Sequence, residues 1–192
     1  MKERKLKEDY ILKTQISSSG REKQVPVYRG EWFTTGSQIS PAKAATIRAP
    51  WFLLALLPLV IYLFLNVPST RCMYVLLPAI CGLLPCFYWG MGLFSFRKTK
   101  LPMTRLQKEK GPGRMVRSSF GSMIITAATI LGELVFIFFF GGDRQEEALP
   151  LILFTLALSG SVTGFIKNRQ LFQEIIKSPD FQNTDRSGGG SS

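Results

Sequence analysis

The chain has 192 residues, 24 Lys and Arg against 13 Asp and Glu, no histidine and a formal net charge of +11. Without histidine the usual Ser-His and Cys-His nucleophile pairs and histidine-ligated metals are excluded, and neither cofactor nor metal is expected. A mean hydropathy of +0.14 resembles that of a soluble domain, but the apolar residues are gathered into blocks with the charges between them.

Residues 1–48 are polar and basic, with ten Lys and Arg. No apolar stretch of signal-peptide length follows the start, so the first membrane helix is expected to direct insertion. Residues 10–16 (YILKTQI) and 25–34 (VPVYRGEWFT) have strand-like content, with turns at 17–20 and at Arg29-Gly30. The expectation is a small β-ribbon or a partly disordered segment, with Tyr28, Trp32 and Phe33 resting on lipid, the bundle or a partner. Ser40-Pro41 supplies an N-cap and a proline at the first helical position, and AKAATIR reads as a short juxtamembrane helix.

Four windows follow that are nearly free of charge, at 49–70, 72–96, 118–142 and 148–166. Each approaches or exceeds the ~20 residues an α-helix needs to cross ~30 Å of hydrocarbon. Runs such as WFLLALLPLVIYLFL and LVFIFFF are apolar on every side, which a soluble core of this size could not bury four times. The expected fold is therefore an all-α polytopic membrane protein with four transmembrane helices. They form two antiparallel hairpins, at 49–96 and 118–166, because residues 66–71 and 141–147 leave only short outer loops.

In the first helix, about 50–67, Trp51 and Tyr62 lie toward the interfaces and Pro58 should bend it. The second, about 72–96, carries Pro78, Pro85 and a small-residue row of Gly82, Cys86 and Gly90 at four-residue spacing. Three cysteines without a CxxC pair read as packing thiols rather than a zinc or redox centre.

The connection at 97–117 holds eight Lys and Arg and one acid, Glu109. Single basic residues, Arg71 and Arg144, occupy the other two connections, and four follow the last window. Cytoplasmic loops retain Lys and Arg, so both termini and the middle connection are expected in the cytoplasm, in a plasma membrane whose anionic lipid attracts them. Within the connection, residues 102–110 are expected to form a brief helix with Met103 and Leu106 toward lipid, broken by Gly111-Pro112-Gly113. Nucleic acid is set aside as a partner, since no binding motif or aromatic-and-basic pattern accompanies the charge.

The third window has one ionisable residue, Glu133. At 3.6 residues per turn Ser122, Thr126, Thr129 and Glu133 share one side, with Gly121, Ala128 and Gly132 forming an adjoining small row. A rise of ~1.5 Å per residue puts Glu133 ~24 Å from Arg117 and ~15 Å from Asp143, in the outer half of the bilayer. An acid there costs ~2.5 kcal/mol or more by analogy with Asp, so a partner is expected. The fourth window offers Thr155, Ser159 and Thr163, with Gly160 and Gly164 as a GxxxG beside them. These rows are expected to join the third and fourth helices, or copies of the chain, with Glu133 at the seam.

Residues 167–192 are expected to begin as an amphipathic helix that presents Leu171, Phe172, Ile175 and Ile176, continues the face of Phe165 and stops before Pro179. The closing SGGGSS reads as a flexible linker and carries no functional reading. No P-loop occurs, no membrane window contains an aspartate pair, and none has an interior lysine for a Ser-Lys pair. An enzyme is not expected. Two roles remain: a non-enzymatic accessory or scaffold subunit that recruits lipid or a membrane-protein partner, and a small transporter or channel subunit, in a homo-oligomer or with partners, that uses Glu133 as a proton or cation site.

Overall fold

The computed structural model describes residues 10–16, 22–36, 39–139 and 146–177. The turn expected at 17–20, the loop residues Asp143 and Arg144, and the tail from 178 lie outside the described residues. Four helices dominate: α1 Pro41–Leu63, α2 Met73–Arg97, α3 Arg114–Phe139 and α4 Ala148–Glu174. Each contains an 18-residue stretch of mean hydropathy between 1.6 and 2.1, of which only 28 to 39% is buried. Leu57, Leu84, Phe87, Leu131 and Phe138 stand exposed on the outer faces. So much outward apolar surface is stable in hydrocarbon and not in water, and the chain is an integral multi-pass membrane protein.

Local chemistry sets the helix ends. The Ser40 hydroxyl accepts the Lys43 N–H at 3.3 Å, with Pro41 at the first helical position. From there α1 runs unbroken through the segment expected to be a separate juxtamembrane helix, because its first turns are already buried through Ala44 and Ala45. A 3-10 turn at Pro68–Arg71 leads into α2.

Neighbouring helices contact in a ring, α1 with α2 and α4, and α3 with α2 and α4. Contacting residues climb on one helix as they fall on its neighbour: Phe52 meets Trp89 while Leu59 meets Gly82, and Met115 meets Gly92 while Tyr74 meets Gly132. The same holds for α3 with α4, where Ser122 meets Ser161 and Ser119 meets Asn168, and for α1 with α4, where Arg48 meets Lys167 and Tyr62 meets Phe154. Close approach uses the small residues. A Cβ on Gly160 would come within 2.7 Å of the Ala55 backbone nitrogen, and one on Gly164 within 2.5 Å of Trp89 Cζ2.

Two sheets lie at the end of the bundle where α1 begins. Strands β1 (Tyr10–Ile16) and β2 (Glu22–Tyr28) form an antiparallel hairpin. Strand β3 (Trp32–Thr35) is the centre of a second sheet, between β4 (Met103–Thr104) and β5 (Ile175–Lys177).

Three expectations are corrected at this end of the bundle. Met103 is fully buried under Phe33 and Phe96 and does not face lipid. Gly111-Pro112-Gly113 does not break the chain: one helical turn at Arg105–Lys108, started by a Thr104/Gln107 capping box, passes through a π turn at Glu109–Gly113 into α3. Gly111 sits against Phe96, where a Cβ would be 3.2 Å from that side chain's Cβ, so packing compensates for the helix-poor sequence. Finally, Ile175 and Ile176 belong to β5, not to the helix expected to run toward Pro179, because β3 offers backbone partners at Thr35 and Thr34.

Candidate functional sites at the two ends of the bundle

The side of α3 that carries Ser122, Thr126, Thr129 and Glu133 has no solvent-accessible surface. Ser122 Oγ is 2.9 Å from Ser161 Oγ on α4 and 3.4 Å from Cys86 Sγ on α2, which ties three helices at one point. Toward the start of α3, Asn168 of α4 donates its amide to the Met115 carbonyl and to Ser119 Oγ, both at 3.4 Å. Thr129 donates to the Ile125 carbonyl of its own helix at 3.0 Å, and the Thr126 hydroxyl has no partner among the described residues.

Glu133 lies ~9 Å before the end of α3. It faces Glu147, the residue directly before α4, and Ser69 of the 3-10 turn, while Tyr62 of α1 lies against the same group. All four side chains are fully buried. The Ser69 N–H donates to Glu147 Oε1 at 3.1 Å. Both oxygens of Glu133, Glu147 Oε2 and the hydroxyls of Ser69 and Tyr62 make no well-aligned hydrogen bond among the described residues. No basic side chain among the described residues pairs with either acid. The site unites the end of α1, the turn after it, the end of α3 and the start of α4.

The α4 row lies elsewhere than expected. Thr155 and Ser159 are exposed on the outer face and donate to the carbonyls of Leu151 and Leu156, both at 2.8 Å, and Thr163 is half-buried. A hydroxyl satisfied by its own helix needs no partner helix, so the spacing did not mark the seam. Gly160 closes on α1 and Gly164 on Trp89 of α2, and the small row of α3 faces α2, with Gly132 at the Tyr74 carbonyl. The polar contacts of α4 with α3 come instead from Ser161 and Asn168. Glu147, which the sequence reading left within the short outer loop at 141–147, is the missed residue. Its signal was its place directly before ALP, since an acid at a helix N-terminus is favoured by the dipole.

At the opposite end the second sheet stitches three remote segments together. Phe33 pairs with Met103 and with Lys177, and the Tyr28 hydroxyl donates to the Glu31 carbonyl at 2.9 Å while accepting the Arg105 N–H at 3.1 Å. Lys108 Nζ donates to the Ile175 carbonyl at 3.0 Å and stands over the rings of Phe33 and Phe172, 4.4 and 4.9 Å from their centroids. Around this cap Arg97, Lys98, Lys100, Arg105, Lys110 and Arg117 are exposed, and Arg117 is paired with Glu109 at 2.6 Å.

The described residues contain no group of three or more His, Cys, Asp or Glu able to hold a metal ion. Comparisons of the chain with known protein families, with characterised proteins and with solved structures give no match.

Proposed function

We propose that this protein is a non-enzymatic accessory or scaffold subunit of a plasma-membrane assembly. In this reading both termini and the 97–117 connection are cytoplasmic, and the basic cap is the docking platform. One observation carries the reading: segments from the N-terminal region, the middle connection and the C-terminal region fold into a single sheet at one end of the bundle, ringed by exposed Lys and Arg. A connection that served only to orient the helices has no need of a buried Phe33–Met103–Ile175 core. The exposed cations suit anionic headgroups, each contributing ~1 kcal/mol near the membrane surface, and an acidic face of a partner protein.

Native mass measurement in mild detergent tests it. The expected result is an unlike subunit co-purifying with the chain and released when Arg105 and Lys110 are replaced by Glu. A lone monomer or a symmetric homo-oligomer, indifferent to those substitutions, would contradict it.

A further inference from the structure

We propose that Glu133 and Glu147 form one proton-binding site, a carboxyl hydrogen-bonded to a carboxylate, at the end of the bundle remote from the basic cap. The inference does not depend on the accessory role; it requires only that the four helices lie in hydrocarbon.

Two acids from different helices are buried to zero exposure and face one another, with no basic partner among the described residues. Two ionised carboxylates in such a place repel, and each also loses its hydration. One shared proton reduces the pair to a single negative charge and converts the repulsion into a charge-assisted hydrogen bond. The remaining charge has a donor in place, the Ser69 N–H on Glu147 Oε1. Tyr62 provides a second, independent sign that the cluster is built for a ligand. Its hydroxyl is fully buried and without a well-aligned partner among the described residues, and it lies against the two acids and Ser69.

Among the described residues the ionisable groups around Glu133 are Tyr62 from α1, Cys72 and Tyr74 at the start of α2, and Glu147 directly before α4, and none of these is cationic. The unsatisfied atoms of this cluster, on Glu133, Glu147, Ser69 and Tyr62, are all oxygens, so the ligand is a hard, positively charged species, and a proton is the one that lets two carboxyls bond directly. A groove of about 340 Å³ between α3 and α4, lined by Leu134, Ile137, Phe138 and Leu151, borders Glu147.

Infrared spectroscopy of the full chain in lipid nanodiscs, between about pH 5 and pH 9, tests the assignment. The wild type is expected to show the carbonyl stretch of a protonated carboxylic acid at neutral pH. Glu133→Gln should abolish it. Glu147→Gln should shift its frequency, because the partner of Glu133 changes from carboxylate to amide. No such band in the wild type, or a band unchanged in Glu133→Gln, overturns the site; a band identical in Glu147→Gln overturns the pairing. If Glu133→Gln fails to elute as a monodisperse species, Glu147→Gln decides alone. Loss of the wild-type band on adding sodium or calcium ions at constant pH would assign the site to a metal cation and overturn the proton.

Discussion

Replacing Gly164 by Ala presses one methyl group against the Cη2–Cζ2 edge of the Trp89 ring. The added Cβ would lie 2.5 Å from Trp89 Cζ2 and closer still to Cη2, whereas ordinary carbon contacts sit at ~3.5 to 4.0 Å. The indole must therefore retreat by ~1 Å or more, but it is fully buried and its centroid stands 5.7 Å from that of Phe52 in an edge-to-face pair. Overpacking of this kind costs ~1 to 3 kcal/mol, and a rigid, enclosed neighbour places it near the upper figure. For a chain of this length ~3 kcal/mol corresponds to a fall in melting temperature of ~6 to 12 °C. Thermal unfolding in detergent, followed by tryptophan fluorescence, measures it. Gly121→Ala is the matched control, since its nearest neighbour would be Pro85 Cβ at an ordinary 3.5 Å; the gain in helix propensity, up to ~1 kcal/mol, should leave that variant unchanged or slightly more stable. Trp89→Phe removes the clashing atoms and should restore stability to Gly164→Ala, with the loss of the small row's fit to indole as the residual cost. A Gly164→Ala protein that melts with the wild type, or one that Trp89→Phe does not rescue, would refute the packing of α4 against the Trp89 side chain.

Ser122→Ala removes the 2.9 Å contact with Ser161 and the 3.4 Å contact with Cys86; interhelical bonds in membranes average ~0.6 and reach ~1.7 kcal/mol, so the same assay should show a fall of only a few degrees. Phe33→Ala empties the centre of the cap at ~3 to 5 kcal/mol. Limited proteolysis should then cut within residues 97–117 faster than in the wild type, while the helical circular dichroism is retained.

The sequence announces some levels of this structure and conceals others for identifiable reasons. Blocks of apolar residues are enough to specify the four helices, because hydrocarbon tolerates no other single-chain element there besides a closed barrel. Ser40-Pro41 marks the start of α1 because a hydroxyl and a proline act within one turn. The alignment of Ser122, Thr126, Thr129 and Glu133 follows from helix geometry alone, and all four are buried. What the alignment cannot say is which helix faces it: Ser161 and Asn168 do, while the more regular row of Thr155 and Ser159 is exposed. The sheet of β3, β4 and β5 was hidden because strands of two to four residues are too short for alternation to stand out in the sequence, and their pairing joins segments far apart in the chain. Glu147 was hidden because a loop acid and a buried acid look alike until the Ser69 turn folds over one of them.

The orientation of the bundle underlies the proposed role of the basic cap as a cytoplasmic docking platform, and site-directed labelling measures it most directly. In a background with Cys72, Cys81 and Cys86 replaced by Ala, single cysteines are placed at Lys100, in the basic connection, and at Arg71, in the turn beside Ser69; both positions are exposed. A membrane-impermeant maleimide added to intact cells should modify Arg71→Cys and spare Lys100→Cys until the membrane is permeabilised. Labelling of Lys100→Cys from outside, with Arg71→Cys protected, would contradict the account.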